Sequence, residues 1–352
     1  PLWLMNMTLN LKVGSSYRLG ERDLADLVSR LLESGFTVVA PVREGEEVYF
    51  RVVVDENRSS ITLSYVRAIN SPREFLLPDG EVLYSYDVNT LECRFELPGE
   101  KLVFFGVHLC DANAIKYLDL ALMSGPSPPD PMYKARRENS AVISIECCEW
   151  DDRCFCASVG GSELPEDVVD LHLKPLSDGG YAVKVLSEKG RMILSTLGKE
   201  LELYSDEWKP FAPRQRRYFE SMVLENLENE FYVLMRDAKG YVDLCVKCGS
   251  CTQQCPTCFC FDIQEQADPL HLSTYRRVRR KMSCQRMYFS LVSGDIVVLK
   301  EKEERFKWRL LHKFPFSRRR FGIWGCVGCG RCITFCPAEI DMVRFLGGVV
   351  ER

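Results

Sequence analysis

Histidine is scarce in this 352-residue chain: His108, His172, His271 and His312 are all there is. So few imidazoles leave little material for mixed Cys/His zinc sites or for histidine-based catalysis. Long apolar runs are missing as well. No stretch reaches the roughly 18 to 20 apolar residues of a membrane-spanning helix, and the opening PLWLM lacks the basic flank and cleavage site of a signal peptide. A soluble, cytoplasmic protein without a membrane span is expected. Also missing are a G-x-G-x-x-G after a strand and a G-x-x-x-x-G-K-[ST], two glycine-rich cradles for dinucleotide and nucleotide phosphates. No flavin or nucleotide is therefore expected in this chain.

Cysteine, by contrast, is abundant, with seventeen residues. In a small secreted domain that would be a disulfide framework, but this chain is large, its cysteine count is odd, and the cysteines bunch in C-x-x-C runs, which points to metal. The net charge of −4 conceals an asymmetry, because residues 271 to 320 hold fifteen Lys/Arg against four Asp/Glu. A basic face for nucleic acid is one reading. Cations packed around anionic thiolate-ligated clusters, or lining a docking surface, is the reading preferred here, with no nucleic acid partner.

The expected fold class is α+β, a mixed α/β N-terminal region followed by a helical ferredoxin-like di-cluster domain. Four parts are expected: an α/β region over 1–100, a second α/β region with a further metal site over 101–212, a linking helix over 213–240, and the di-cluster domain over 241–352. In the first part LADLVSRLLESGF places Leu24, Leu27, Val28, Leu31 and Leu32 at helical spacing and stops at Gly35, while FTVVAPV, EVYFRVVVD and SITLSYV read as strands. Nothing in the first hundred residues suggests chemistry. In the second part KLVFFGV reads as a buried strand, and DANAIKYLDLALM as a helix N-capped by Asp111. AVISIE is a further strand, and YAVKVL with RMIL reads as a hairpin around SEKG. A helix over about 214 to 236 carries Phe219, Met222, Val223, Leu227, Phe231 and Leu234 on one stripe.

Two cysteine runs repeat. Cys245-x2-Cys248-x2-Cys251-x3-Cys255-Pro256 recurs about eighty residues later as Cys326-x2-Cys329-x2-Cys332-x3-Cys336-Pro337. This is the bacterial ferredoxin spacing: three cysteines wrap three corners of a cubane and the fourth, before proline, crosses to the other cluster. Cys245, Cys248, Cys251 and Cys336 are expected to hold one [4Fe-4S] cluster, and Cys326, Cys329, Cys332 and Cys255 the other. Four-cysteine zinc sites are the competing account, but zinc requires neither the complete repeat nor the ligand exchange. Gly249, Gly328 and Gly330 suit loops that turn their N–H groups toward sulfide.

A third constellation is less regular. Cys110, Cys147, Cys148, Cys154 and Cys156 offer four ligands for another cluster or are buried structural thiols. Cys110 stands near a helix N-terminus, where the dipole favours an anionic cluster.

Taken together, FFGVHLCDANAIKYLD, MYKARRENSAVISIECC, CFCASVG, CVKCGSCTQQCPTCFCFDI and RLLHKFPFSRRRFGIWGCVGCGRCITFCPAEID resemble the iron–sulfur beta subunit of sulfhydrogenases, soluble NiFe hydrogenases that also reduce sulfur. The electron-feeding subunit of anaerobic sulfite reductases belongs to that family too. The similarity runs from about residue 70 to 345. It implies three [4Fe-4S] clusters, with Cys110, Cys147, Cys154 and Cys156 holding the third. It also implies single-electron transfer, without catalysis on this chain, between a flavin/NAD(P)H-binding subunit and a NiFe hydrogenase-type catalytic subunit. The sequence departs from the family in one place: His108-Leu109 stands where Arg-Pro is usual, which makes His108 either a substitute donor or a buried side chain. Cys148, Cys258, Cys260 and Cys284 are additional candidate ligands. A cluster-based sulfur or disulfide reductase and the electron-feeding subunit of a sulfite reductase are the alternative functions.

Overall fold

The computed structural model describes residues 10–125, 127–206, 208, 213, 215–229, 239–271 and 273–350. A seven-stranded mixed sheet is built from strands β1 (Ser16–Gly20), β2 (Thr37–Glu44), β3 (Glu47–Val52), β6 (Leu102–His108), β7 (Ser140–Ile145), β8 (Leu171–Pro175) and β9 (Gly180–Val185). Its order is β1-β9-β8-β7-β6-β2-β3, with β2, β6, β7 and β8 mutually parallel. Every residue of β6 and β7 is buried, as expected of central parallel strands covered on both faces.

Two helical layers provide that cover. Helix α1 (Glu21–Glu33) lays Leu24, Leu27, Val28 and Leu31 on one face, against Val38, Val103, Phe105 and Ile143. Helix α2 (Leu109–Leu122) lays Ala112, Ile115 and Leu118 on the other, against Val39, Phe104, Val107 and Val142, joined by Tyr133 from helix α3 (Pro131–Glu138). Alternate strand residues thus serve alternate cores. The alternation slips once in β6, at a bulge between Phe105 and Val107. Gly106 there has φ +70°, and a Cβ on it would lie 2.5 Å from a Leu63 methyl, so only glycine lets the strand deliver its C-terminal end to α2 at this pitch.

Several expectations are corrected. Residue 100 falls inside a sheet that draws strands from both sides of it, because β2 and β6 pair directly. SITLSYV is not a strand: only Ile61 makes an isolated bridge, to Val42. Tyr65 turns inward there and donates to the Gly106 carbonyl at 2.8 Å. RMIL belongs to helix α4 (Glu188–Ser195), started by the Ser187 hydroxyl accepting from Gly190 N–H, so β9 forms its hairpin with β8 instead. Asp111 is not an N-cap. It lies in the first turn of α2 and is engaged by Arg331, while His108 takes the cap position. The expected helix over 214–236 begins later, at Ser221, and is described only to Asn229. Phe219 precedes it and packs in the C-terminal core, Met222 is exposed, and Phe231 and Leu234 lie outside the described residues.

A second sheet ties residues 81–94 to the segment between the two cysteine runs. Strands β10 (Phe261–Ala267) and β11 (Thr274–Lys281) form a hairpin inserted between the two cysteine runs. It pairs through β11 with β4 (Glu81–Asp87), which in turn pairs with the short β5 (Cys93–Arg94). Much of the basic surplus is consumed here, with Arg276 on Asp268, Arg277 on Glu265, and Arg279 on Glu81 and Asp130. The remaining C-terminal core gathers Phe306, Leu310 and Phe314 with Ile333, Met342 and Val343.

Candidate metal centre

The paired runs fold into loops that end in one-turn helices, Ser250–Gln253 and Arg331–Thr334, each entered through a left-handed glycine, Gly249 or Gly330. Cys245, Cys248 and Cys251 line one cavity together with Cys336 from the far run, closed by Phe306, Leu310, Met342 and Phe345. Cys255 turns away from this cavity toward the second run. Burial raises Cys326, Cys329 and Cys332 above the usual thiol range, Cys332 to about 12, and Cys255 is among the neighbours acting on each. Cys336 thus joins the cavity of the first run, and Cys255 acts on all three thiols of the second.

The third set is assembled at the C-terminal ends of β6 and β7, where parallel sheets present their crevices. Cys110 comes from the first turn of α2, Cys147 from the exit of β7, and Cys154 and Cys156 from the following loop; all four line one cavity. Burial pushes Cys110 and Cys147 well up, and Cys156 to about 12. Cys148 is exposed and lies outside this cavity, near the Glu146 carbonyl.

The second run reaches both cavities. Cys332 lines the first cavity beside Cys251, and Cys329 lines the third beside Cys110. The close approach of second to third rests on Gly328, where φ is +64° and a Cβ would lie 2.5 Å from the Cys156 backbone. Phe155 N–H donates to the Gly328 carbonyl at 2.9 Å across this contact.

Cations arm both regions. Arg309 is buried, donates to the Cys251 carbonyl at 3.3 Å and lines the first cavity. Lys313 is buried and held protonated, its pKa raised by Cys255 and Cys258 against the opposing effect of burial. It donates to Thr257, whose hydroxyl lies 3.3 Å from Cys255 Sγ. Neither cation has a carboxylate partner among the described residues. At the third set Arg67 donates to Cys154 Sγ at 3.2 Å and to the Cys329 carbonyl at 3.3 Å while forming a bidentate pair with Asp151. Arg331, 1% exposed, is bidentate to Asp111 at 2.7 and 2.9 Å. Gln215 Nε2 donates to Cys156 Sγ at 3.1 Å. Arg67 lies within the first hundred residues, where no chemistry was expected, and no periodicity or motif marks it or Gln215.

These surroundings fit an anionic polynuclear group. His108 Nε2 and Arg309 Nε are buried without a hydrogen-bond partner, on residues that line the third and first cavities respectively. A buried N–H without an acceptor is costly. A sulfide-rich cluster is an acceptor, and its iron displaces the protons that burial holds on the thiols.

Of the remaining candidates, Cys258 neighbours Cys255 and acts on it. Cys260 and Cys284 act on each other, and Cys260 is the chief reason Cys284 is brought down to about 6. None of these three lines the first or third cavity.

Known proteins place these runs in a family. Residues 244–340 match the 4Fe-4S dicluster domain family. The beta subunit of sulfhydrogenase 2 from Pyrococcus furiosus is 32% identical over 339 residues, covering 93% of this chain and 96% of that protein. Iron–sulfur subunit 2 of an Hdr-like menaquinol oxidoreductase from Archaeoglobus fulgidus is 26% identical over 168 residues, 45% of this chain and 28% of that one. The beta subunit of an F420-dependent formate dehydrogenase from Methanocaldococcus jannaschii is 24% identical over 172 residues, 47% and 37% of the two chains. Among the described residues, no helix is long and apolar enough to cross a membrane. With a full-length relative above and a dicluster domain spanning both cysteine runs, the chain belongs to the sulfhydrogenase beta-subunit family of iron–sulfur proteins.

Proposed function

We propose that this chain is a cytoplasmic electron-transfer subunit carrying three [4Fe-4S] clusters, placed between a flavin/NAD(P)H-binding subunit and a NiFe hydrogenase-type catalytic subunit. Cys245, Cys248, Cys251 and Cys336 would hold the first cluster, Cys326, Cys329, Cys332 and Cys255 the second, and Cys110, Cys147, Cys154 and Cys156 the third. Bound cubanes supply one-electron redox chemistry over potentials tuned by charge, hydrogen bonds and exposure.

The polypeptide positions and insulates. Phe306, Leu310, Met342 and Phe345 keep water from the first site, and Gly328 allows the second and third to approach. Exposed Cys248 marks one end of a row of three clusters, near the surface where a partner could exchange electrons. The observation that carries the reading is the pair Arg309 and Lys313, two buried cations facing thiols with no carboxylate partner among the described residues. Uncompensated buried charge is strongly destabilising, and anionic clusters answer it. The partner assignment is supported by near full-length similarity to the Pyrococcus furiosus protein.

Anaerobic reductive titration of the purified chain, followed by EPR, tests this. About three electrons per chain are expected, one for each cubane. Cys255→Ser should remove the electron belonging to the 326–332 run while leaving that of the 245–251 run. Two electrons in the wild type, or loss of the 245–251 signal in the variant, would contradict the assignment.

A further inference from the structure

Three buried or half-buried thiols stand outside the three sets. Cys258 and Cys284 are 8% and 3% exposed, and Cys260 lines a small cavity with Arg73, Arg279 and Lys281. The β10–β11 ladder brings two of them together. Phe261 pairs with Lys281, and Met282 N–H donates to the Cys260 carbonyl at 3.0 Å, so the ladder continues one residue past the strand ends. The chain then turns at Ser283, where Arg286 N–H closes onto the Ser283 carbonyl at 2.9 Å. That turn returns the chain at Cys284 toward Cys260, close enough that each thiol acts on the other. Cys260 also acts on Cys258, and Cys258 on Cys255. The four sulfurs thus form a relay, Cys284, Cys260, Cys258, Cys255, that ends on a residue assigned to the second cluster.

Packing alone calls for no such relay, since one small apolar side chain fills the space of a buried thiol. A facing pair with a cation-lined opening beside it is suited to redox exchange, because a disulfide closes only between sulfurs already adjacent and oriented.

We propose that Cys260 and Cys284 are a two-electron thiol/disulfide site coupled to the cluster held by Cys326, Cys329, Cys332 and Cys255; the coupling rests on the cluster reading above. Oxidation forms one S–S bond and breaks two S–H bonds. Two protons leave by the cavity beside Lys281, and two electrons pass singly to one-electron acceptors of the iron–sulfur type, each of which is reduced by one. The reverse, with two electrons and two protons returned, restores both thiols. The site is then a two-electron store beside a one-electron path.

The test uses the iron-replete chain, poised anaerobically at a series of potentials, acid-quenched, alkylated and analysed as peptides by mass spectrometry. A Cys260–Cys284 cross-linked peptide is expected on the oxidised side, replaced by two alkylated cysteines with a two-electron dependence, while iron per chain stays constant. Cys284→Ser, and separately Cys260→Ser, should abolish the cross-link and leave iron unchanged. Full alkylation of both residues at every potential in an iron-replete chain would overturn the thiol site alone, as would loss of about four irons in both variants, which would make them ligands. A wild-type chain without iron would overturn the cluster reading, and the coupling with it.

Discussion

The cations beside the paired cysteine runs differ from those beside the third set in one respect. Among the described residues Arg309 and Lys313 meet sulfur with no carboxylate opposite, whereas Arg67 and Arg331 each hold an aspartate, Asp151 and Asp111. The paired sites therefore sit in a positive interior and the third in a nearly neutral one. Reduction adds negative charge to a cluster, so a positive surround raises its potential. The third cluster should be the hardest of the three to reduce. Arg331, next to Cys332 in the second run, is spent on Asp111.

Breaking the neutral pair should have the largest effect on the fold. Arg331→Met leaves the Asp111 carboxylate buried without its partner, and a loss of about 3–5 kcal/mol is expected, read by chemical denaturation of the anaerobic holoprotein. Arg331→Met combined with Asp111→Leu should recover most of it; equal instability of single and double variants would mean the pair's charges do not balance each other. Next, Arg309→Met should lower the midpoint potentials of the paired clusters by about 60 mV, equivalent to about 1.4 kcal/mol for one electron. Arg67→Met should move the third by less, about 30 mV, because Asp151 already offsets its charge. EPR-monitored potentiometry checks both, and equal shifts would erase the contrast between the regions.

A further effect is one of pH. Burial, then Lys313 and Arg320, hold His312 down at about 4. Between about pH 6.5 and 4 the unfolded chain binds a proton that the folded chain refuses, so stability falls as pH falls across that window. His108, held at about 3 by burial and then by Arg331, adds to the same window, so folding free energies should decline with a slope approaching two protons, and His312→Gln should remove about one of them.

The same two regions differ in how much of them the sequence disclosed. Each paired run carries three cysteines within seven residues, so the chain's own turn geometry places them, and spacing alone singled out both runs and led to the proposed exchange of their fourth cysteines. The third set depends on tertiary pairing. Cys110 and Cys147 are neighbours because β6 and β7 pair in parallel, and the choice of Cys147 over Cys148 as the residue lining the cavity is made by the chain's path as it leaves β7. Arg67 reaches Cys329 across 262 residues, a relation that local pattern does not carry. The same limit explains the misread RMIL segment: its apolar residues suit a strand in isolation, but the Ser187 cap and the packing of Ile193 and Leu194 on the sheet make it helix.

Iron and acid-labile sulfide in the anaerobically purified chain, measured for the wild type and for Cys110→Ser, test the three-site account most directly. About twelve irons are expected in the wild type and about eight in the variant, with the EPR signals of the paired clusters retained. About eight in both, or zinc in place of iron, would contradict it.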